Sequence, residues 1–356
     1  MSQPATGTTQ VQERHRFDAG ALEAYLRGRL DGFAGPLAVK QFEGGQSNPT
    51  YLLEAGSGRY VMRTKPGPVA RLLPSAHAIE REFRVMSALA GAGIPVARML
   101  HLCEDESVVG RAFFIMEHVD GRVLWDQSLP GMTPAARGAI YDEMNRVIAA
   151  LHAVDYAAIG LADYGRPGNY FARQIGRWVK QYQASETDAI EPMNRLIEWL
   201  PGNIPAGEET TIVHGDYRMD NLVFHPTEPR VLAVLDWELS TLGHPLADFS
   251  YHCMSWHIPP GKFRGIAGLD LAALGIPAES DYVAAYCRRT GRARIEHWNF
   301  YLAYNLFRIA AILQGVKKRA LEGIASSAQA LDQGSRVPLL AEIGWDYAQK
   351  AMREQH

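Results

Sequence analysis

Three short apolar runs, each followed by acidic or amide side chains, constrain the fold of this chain more than any other stretch. The runs cover residues 212–213, 222–224 and 231–235. Their length and composition predict buried β-strands. Asp216 and Asn221 lie between the first two runs, and Asp236 follows the third. Because a core rarely holds such groups, polar side chains gathered at strand ends indicate a functional site.

The side chains of this stretch are those that magnesium-assisted phosphoryl transfer requires. Asp216 would accept or orient the substrate hydroxyl, while Asn221 and Asp236 would hold Mg²⁺ on the nucleotide phosphates. The alternative is that Asp216 and Asn221 are turn residues that bond their own backbone. That alternative explains one such residue but not the whole set.

The same residues resemble a known signature. His214-Gly215-Asp216, with an asparagine five residues after the aspartate, and Asp236-Trp237-Glu238 are similar to the motifs of the aminoglycoside phosphotransferase and choline kinase superfamily. The resemblance runs from about residue 42 to about residue 323. It is closest to the kinase-like domain fused to some acyl-CoA dehydrogenases.

The resemblance implies an α+β, bilobal protein-kinase-like fold. We expect a disordered tail over residues 1–15, a nucleotide-binding N-lobe over 16–118 with a five-stranded antiparallel sheet and a helix, and a larger, mostly helical C-lobe over 119–356. The predicted sheet strands cover residues 37–43, 50–54, 59–65, 96–103 and 112–117. Apolar periodicity predicts helices over residues 18–30, 75–90, 133–151, 169–182, 192–200, 280–290, 297–315 and 338–354.

Composition narrows the range of partners. The net charge of −3 does not indicate electrostatic binding to nucleic acid or to an anionic membrane. Cys103, Cys253 and Cys287 are scattered, which argues against a disulfide framework and fits a reducing compartment. Residues 1–14 lack the apolar region of a signal peptide, and no apolar run reaches membrane-spanning length. We therefore predict a cytoplasmic protein without nucleic-acid or membrane partners.

The loop between the first two predicted strands is rich in residues that allow a tight backbone. We interpret it as a lid over nucleotide phosphates, with backbone N–H groups of Gly44 and Gly45 and the side chains of Ser47 and Asn48 as donors. Taken alone, the loop is more typical of an ordinary turn, since glycine pairs are common in turns. Its position upstream of the other features favours the lid.

The third predicted strand carries a cation for the phosphates. Alternation places Arg63 and Lys65 on one face with Val61. The resemblance implies that Arg63 meets the phosphates, with Lys65 as the second candidate and an exposed strand cation as the alternative. In the following predicted helix, Glu82 lies at the edge of the buried stripe, so we expect it to pair with Arg63.

An apolar strand running into a polar crossover resembles the kinase hinge. There, backbone groups near Glu117 and Val119 would meet the adenine edge. In the catalytic stretch, we expect His214 to hold the loop by bonding backbone carbonyls. By resemblance, Asp248 braces the backbone of the same loop.

Two further charged residues flank the predicted catalytic centre. Arg218 follows Asp216 by two residues, and it would stabilise transition-state charge or bind an anionic group of the substrate. Glu238 would assist the metal directly or through water. Only twelve residues separate Asp236 from Asp248, which leaves no room for a long activation segment. A small-molecule hydroxyl acceptor is therefore favoured over a peptide.

The acceptor has several candidates. Arg218 and Arg308 favour an acceptor that bears a carboxylate or phosphate. The resemblance to the dehydrogenase-fused domain implies a hydroxy acid or hydroxyacyl-CoA and a functional link to an acyl-CoA dehydrogenase. Aminoglycosides, choline and sugar-like alcohols remain alternatives, as does GTP in place of ATP.

Two other classes of function were weighed. A nucleotide-binding pseudokinase that serves as an interaction module would typically have lost a catalytic acid, but Asp216, Asn221 and Asp236 are all present. A hydrolase acting through a metal-bound water would need a His and Asp ligand cluster, which the sequence does not indicate. The leading prediction is an ATP- and Mg²⁺-dependent small-molecule kinase.

Overall fold

The computed structural model describes residues 7–43, 48–66, 78–323 and 330–354. In chain order its strands are β1 Thr8–Thr9, β2 Ala38–Phe42, β3 Thr50–Ala55, β4 Gly58–Thr64, β5 Met99–Cys103, β6 Phe113–Glu117, β7 Arg122–Val123, β8 Thr211–Val213, β9 Leu222–Phe224, β10 Val231–Val234 and β11 Thr241–Gly243. Its helices are α1 Ala19–Arg27, α2 Ile79–Gly91, α3 Pro134–His152, α4 Tyr170–Ser185, α5 Glu191–Trp199, α6 Pro245–Cys253, α7 Leu271–Leu274, α8 Glu279–Thr290, α9 Trp298–Leu321, α10 Ala330–Gly334 and α11 Val337–Glu354.

These elements divide into two compact units. The first unit runs to Val123 and also takes Ala157–Leu161 and Asp220–Ser240, while the second takes Leu124–Tyr156, Ala162–Met219 and the chain from Thr241 onward. The division at residue 118 stays a prediction about lobes. The first unit extends beyond residue 118 because β7, which ends its first segment, pairs with β9 of the β9–β10 hairpin.

The first unit is built on a six-stranded antiparallel sheet in the order β1-β2-β3-β4-β6-β5. Asp18 caps helix α1, because its Oδ1 accepts the N–H groups of Gly20 and Ala21. The buried side of α1 packs with inward-facing strand residues in one core. That cluster includes Leu22, Leu26, Tyr51, Leu53, Met62 and Ile115.

The prediction of a disordered tail over residues 1–15 was wrong for its described part. Residues 8 and 9 form β1, which pairs with β2 and adds a sixth strand to the five predicted. The Gln41 side chain accepts the Gln12 N–H and lies 3.0 Å from His15 Nδ1. An edge strand has unpaired backbone groups, so β2 offers this segment partners that its own composition does not reveal. Residues 1–6 lie outside the described residues.

The hairpin that carries the metal-ligand candidates lies in the first unit. β9 pairs with β10 and with β7. The Leu235 N–H donates to the Asn221 carbonyl at 2.8 Å. Asn221 and Asp236 therefore lie at the same end of one hairpin, although fourteen residues separate them in the sequence.

The second unit is largely helical, with the short pair β8–β11. Thr133 caps α3, and Pro134 is its first residue. Helix α9 is longer than predicted and continues past residue 315 to Leu321. All nine residues of α6 are buried. Periodicity did not predict α6 as a helix, since a segment that is buried on every face has no amphipathic pattern.

Among the described residues, no helix is both long and apolar enough to cross a membrane. Cys103, Cys253 and Cys287 are buried and free of disulfides.

Candidate active site

One buried guanidinium in the first unit contacts three carboxylates. Arg63 Nε lies 2.9 Å from Glu82 Oε2, and its Nη2 lies 2.7 Å from Asp236 Oδ1 and 3.5 Å from Glu238 Oε2. The predicted pairing of Arg63 with Glu82 is therefore present. The Arg63 side chain is 11% exposed and that of Glu82 only 3%. One positive charge among three carboxylates leaves this cluster, which we call the acidic clamp, with surplus negative charge.

Secondary structure positions the acidic clamp. Arg63 lies on the central strand β4, where it pairs with Thr50 of β3 and Phe114 of β6. Glu82 is in the first turn of α2. Asp236 lies two residues after the end of β10 and has a φ of 65°, in the left-handed region that aspartate and asparagine tolerate better than most residues.

The two candidates for the phosphate-binding cation, Arg63 in β4 and Lys65 just after it, differ in their contacts with the acidic clamp. Lys65 is paired with Glu80, not with the clamp, and its side chain is more exposed than that of Arg63. Arg63 is thus the cation that lies beside the metal-ligand candidates. The phosphate contact itself stays a prediction for either residue.

The charge state of Glu82 reflects its burial. Burial raises the pKa of this carboxyl to about 7, against the lowering effect of Arg63 and of the Asn48 side chain, while the nearby Asp236 raises it further. The pKa of Arg63 lies above its ordinary value, because its three carboxylate neighbours outweigh its burial. The guanidinium therefore remains charged, and the surplus of carboxylates is a fixed property of the clamp.

The residue types at the hairpin end suit a hard divalent cation. Asn221, Asp236 and Glu238 offer amide and carboxylate oxygens, which Mg²⁺ prefers. Within the described residues, no three His, Cys, Asp or Glu side chains are grouped as a self-sufficient metal site. In nucleotide-dependent enzymes, Mg²⁺ is commonly held by one or two carboxylates and completed by substrate phosphates. The surplus negative charge of the acidic clamp fits such an ion as well.

The remaining nucleotide candidates are spread along the first unit. Asn48 is buried and contributes a hydrogen bond to Glu82. Glu117 ends β6 and pairs with Tyr60, and Val119 follows two residues later. Gly44, Gly45 and Ser47 lie outside the described residues, so the phosphate lid stays a prediction.

In the second unit, Asp248 of α6 holds the backbone before the predicted catalytic aspartate. Its Oδ2 accepts the His214 N–H at 2.7 Å, and its Oδ1 accepts the Gly215 N–H at 2.8 Å. Burial alone would raise the pKa of Asp248, but His152 and the His214 N–H lower it overall, so Asp248 is ionised. Gly215 has a φ of 82°, which explains a glycine at this position.

His214 contacts the same loop through its ring. Its Nδ1 accepts the backbone N–H of Asp216 at 3.1 Å. The tight turn at Gly215 directs this N–H back toward the ring. The bond from the ring to a backbone carbonyl stays a prediction. His214 is buried, so a structural role is favoured by its surroundings.

Asp216 is held from both oxygens by side chains of the second unit. Tyr251 Oη donates to Asp216 Oδ1 at 2.6 Å, and Arg218 Nη2 lies 3.1 Å from Asp216 Oδ2. Arg308 Nη2 donates to the Gly215 carbonyl at 2.6 Å. Here one carboxylate has several cationic or polar neighbours, and we call this group the Asp216 cradle.

A small pocket adjoins the Asp216 cradle, since Arg218 and Tyr251 line it. Its other lining residues are Gln127, His252, Met254, Ser255, Ile258, Phe263 and Arg264. None of these described lining residues is a carboxylate. Burial lowers the pKa of His252 to about 4, so the positive charge at neutral pH comes from the two arginines. Arginine side chains in a pocket wall suit recognition of an anionic group.

The pocket wall at Arg264 has an unusual backbone. Phe263 and Arg264 have φ values of 98° and 56°, a region that such residues rarely adopt. Two backbone hydrogen bonds fix the chain after these residues. The Ile266 N–H donates to the Ser255 carbonyl, and the Ala267 N–H donates to the Ile258 carbonyl. A Cβ at Gly265 would lie 1.9 Å from the Ile258 carbonyl oxygen. Strain of this kind is typical of segments that position a ligand-binding side chain.

Sequence reasoning missed two residues of this site. Tyr251 lies three residues after Asp248 in α6, the helix that periodicity did not predict. Arg264 lies in a glycine- and proline-rich segment that carries no motif. A signal for Tyr251 did exist, because residues three apart on a helix share a face, and Asp248 was already expected to face the catalytic loop.

Comparisons with known proteins agree with this geometry. A model of a phosphotransferase enzyme family matches residues 38–298. Acyl-CoA dehydrogenase family member 10 of Mus musculus is 49% identical over 346 residues, which is 96% of this chain and 32% of that protein. The chain therefore spans about a third of this relative's length.

Two solved structures extend the comparison. A provisionally assigned aminoglycoside phosphotransferase of Ralstonia eutropha is 66% identical, with a TM-score of 0.87 over 94% of this chain and 99% of that one. An aminoglycoside phosphotransferase in ternary complex with ADP and hygromycin B is 16% identical, with a TM-score of 0.59 over 92% of this chain and 98% of that one. These likenesses confirm the predicted α+β, protein-kinase-like fold class.

Proposed function

Because the chain belongs to the phosphotransferase enzyme family, we propose that it transfers the γ-phosphate of ATP to a hydroxyl group of a small molecule, with Mg²⁺ as cofactor. The observation that carries the proposal is Asp216, which is held by Tyr251 and Arg218 beside a pocket lined by two arginines. A carboxylate so placed suits a base or hydroxyl anchor.

In the proposed reaction, the acceptor oxygen forms a bond to the γ-phosphorus as the bond between that phosphorus and the ADP oxygen breaks. The acceptor proton passes to Asp216, and ADP leaves with the electron pair of the broken bond. Arg218, beside Asp216, offers positive charge near the transferring group. Asn221 and Asp236, with Glu238, would hold Mg²⁺, which neutralises phosphate charge when bound.

The nucleotide would be bound by residues of the first unit. Arg63, supported by Glu82, would contact the phosphates, and the segment from Gly44 to Asn48 would cover them. Backbone groups at Glu117 and Val119 would meet the adenine edge. These roles follow from the family pattern, and the ion pair of Arg63 with Glu82 at 2.9 Å supports the first of them.

The pocket beside Asp216 supports an anionic acceptor. Arg218 and Arg264 line it, and the described lining residues include no carboxylate. A polycationic aminoglycoside would meet like charge there, whereas a carboxylate or phosphate would meet two forked donors. We therefore favour a hydroxy acid or hydroxyacyl-CoA. Similarity to a protein named acyl-CoA dehydrogenase family member 10 supports a functional link to acyl-CoA dehydrogenation.

The test is magnesium-dependent ADP release by the purified chain with a panel of hydroxy acids, hydroxyacyl-CoAs, aminoglycosides and choline. Turnover with hydroxy acids or their CoA thioesters, abolished in Asp216→Asn, is the expected result. Turnover with aminoglycosides or choline alone would contradict the anionic acceptor but keep the kinase. Mg-ATP binding without turnover on any acceptor would favour a pseudokinase, and absence of nucleotide binding would overturn the proposal.

A further inference from the structure

Tyr251 has a hydrogen bond that core packing does not require. Its side chain is 6% exposed, and its hydroxyl donates to Asp216 Oδ1 at 2.6 Å. Arg218 contacts the other oxygen of the same carboxylate at 3.1 Å. Two donors on opposite oxygens fix the rotation of a carboxylate about its terminal bond, which otherwise has a broad preference.

The Tyr251 ring is itself held in place. The Arg308 guanidinium lies 4.9 Å from the centre of the Tyr251 ring and 5.7 Å from that of Trp178. All three side chains are buried, so these cation–π contacts are formed in a desolvated environment, where they are strongest. Since Arg308 also donates to the Gly215 carbonyl, one side chain supports both the ring and the backbone beside Asp216.

The helix that carries Tyr251 is anchored as well. Asn305 Nδ2 donates to the Ala247 carbonyl at 2.9 Å and to Ser250 Oγ at 2.7 Å. Asp248, on the same helix α6, binds the two N–H groups that precede Asp216. Helix α6 therefore sets the backbone of the catalytic loop through Asp248 and contacts the carboxylate of Asp216 through Tyr251.

We propose that Tyr251, supported by Arg308, is a positioning residue that holds the Asp216 carboxylate in the orientation in which it receives the acceptor hydroxyl. The inference rests on the proposed kinase function. Burial and the neighbouring Asp216 raise the pKa of Tyr251 above its ordinary value, so its hydroxyl keeps its proton at neutral pH and remains a donor. An acceptor hydroxyl would then be a further donor to a carboxylate whose plane is already fixed.

The ring and the hydroxyl of Tyr251 have separable roles. The ring packs against Arg308 and forms part of the pocket wall, whereas only the hydroxyl contacts Asp216. Tyr251→Phe removes the hydroxyl and keeps the ring. A purely structural role predicts that this variant loses thermal stability and keeps its turnover number, whereas a positioning role predicts the reverse.

The experiment measures kcat and KM for Mg-ATP and for the acceptor found in the panel, together with Tm, in wild type and in Tyr251→Phe. Tyr347→Phe is the matched control, because it removes a phenol hydroxyl that lies 2.6 Å from His257 Nδ1 elsewhere in the second unit. We expect kcat of Tyr251→Phe to fall roughly 10- to 100-fold, about 1.4 to 2.7 kcal/mol. Both KM values should stay within about twofold, and Tyr347→Phe should keep wild-type kcat.

A kcat for Tyr251→Phe within about twofold of wild type, or an equal loss in Tyr347→Phe, would overturn the inference while leaving the kinase intact. Wild-type protein without turnover on any acceptor would overturn both proposals. Should Tyr251→Phe fail to fold, Arg308→Lys replaces it, since lysine keeps the charge but lacks the planar stacking group. A kcat for Arg308→Lys equal to that of wild type would then overturn the inference.

Discussion

The acidic clamp and the Asp216 cradle have opposite balances of charged side chains. In the clamp, the described ion pairs join Arg63 to Glu82, Asp236 and Glu238. In the cradle, Arg218 and Tyr251 contact Asp216, and the buried Arg308 lies against the Tyr251 ring. Among these residues, carboxylates outnumber cations in the clamp and cations outnumber carboxylates in the cradle.

The difference indicates what each region takes up. Clustered charges of one sign favour binding of a ligand of the opposite sign. The clamp suits a metal ion, and the cradle with its adjoining pocket suits an anionic acceptor. The predictions below test whether this contrast holds, in order of decreasing effect.

Arg63→Met removes the only cation that the described contacts give the clamp. The buried Glu82 then loses its ion pair with Arg63, so we expect the free energy of unfolding to fall by about 3–5 kcal/mol. Urea denaturation followed by circular dichroism measures the loss. Arg59→Met, on the same strand but in an exposed pair with Asp120, should cost less than about 1 kcal/mol. Similar losses in the two variants would contradict the clamp.

Asp236→Asn removes one negative charge from the clamp. The backbone conformation at this position should be retained, because asparagine also tolerates a positive φ. We expect turnover to fall roughly 100- to 1000-fold and the Mg²⁺ concentration needed for half-maximal rate to rise. Steady-state kinetics over a magnesium titration measures both. The exposed Asp120→Asn is the control. An unchanged magnesium requirement would remove Asp236 from the metal site.

Arg264→Gln removes one cation from the pocket beside the cradle. For an anionic acceptor we expect KM to rise roughly 10-fold, with KM for Mg-ATP unchanged, because one charged hydrogen bond is lost on the acceptor side only. The effect should shrink at high ionic strength. The well-exposed Arg294→Gln is the control. A higher KM for Mg-ATP instead would assign Arg264 to the nucleotide.

We expect the smallest effect on nucleotide binding from Lys65→Met. Lys65 pairs with Glu80 and not with the clamp, so its loss should change the Kd for Mg-ATP by less than about twofold at physiological salt. Isothermal titration calorimetry measures this Kd. A larger change than in Arg63→Lys would show that the second cation, not the first, meets the phosphates.

Most of the fold follows from local patterns. The strands around residues 212–213, 222–224 and 231–235 formed as predicted, because their apolar runs are bounded by polar turns. Helix α6 and strand β1 were not predicted. Both depend on surroundings, one on burial of every face and the other on an edge strand distant in sequence, and neither leaves a periodic trace in its own residues.

The candidate site shows the same limit. The pairing of Arg63 with Glu82 and the bracing of the loop by Asp248 were predicted, since one followed from helix geometry and the other from a family motif. Tyr251 and Arg264 were not predicted, because their contribution depends on distances across the fold. The sequence therefore indicated the chemistry better than it indicated the shape of the acceptor pocket.

A helix without an exposed face limits how freely the enzyme can be altered. Each position of α6 meets close-packed neighbours, and two of its side chains reach the catalytic loop, so most replacements there should be lost from a library selected for activity. The segment over residues 259–265 carries Arg264 and also the exposed Lys262. Laboratory evolution toward new acceptors should therefore randomise residues 262–264 and keep Gly265 and α6 unchanged.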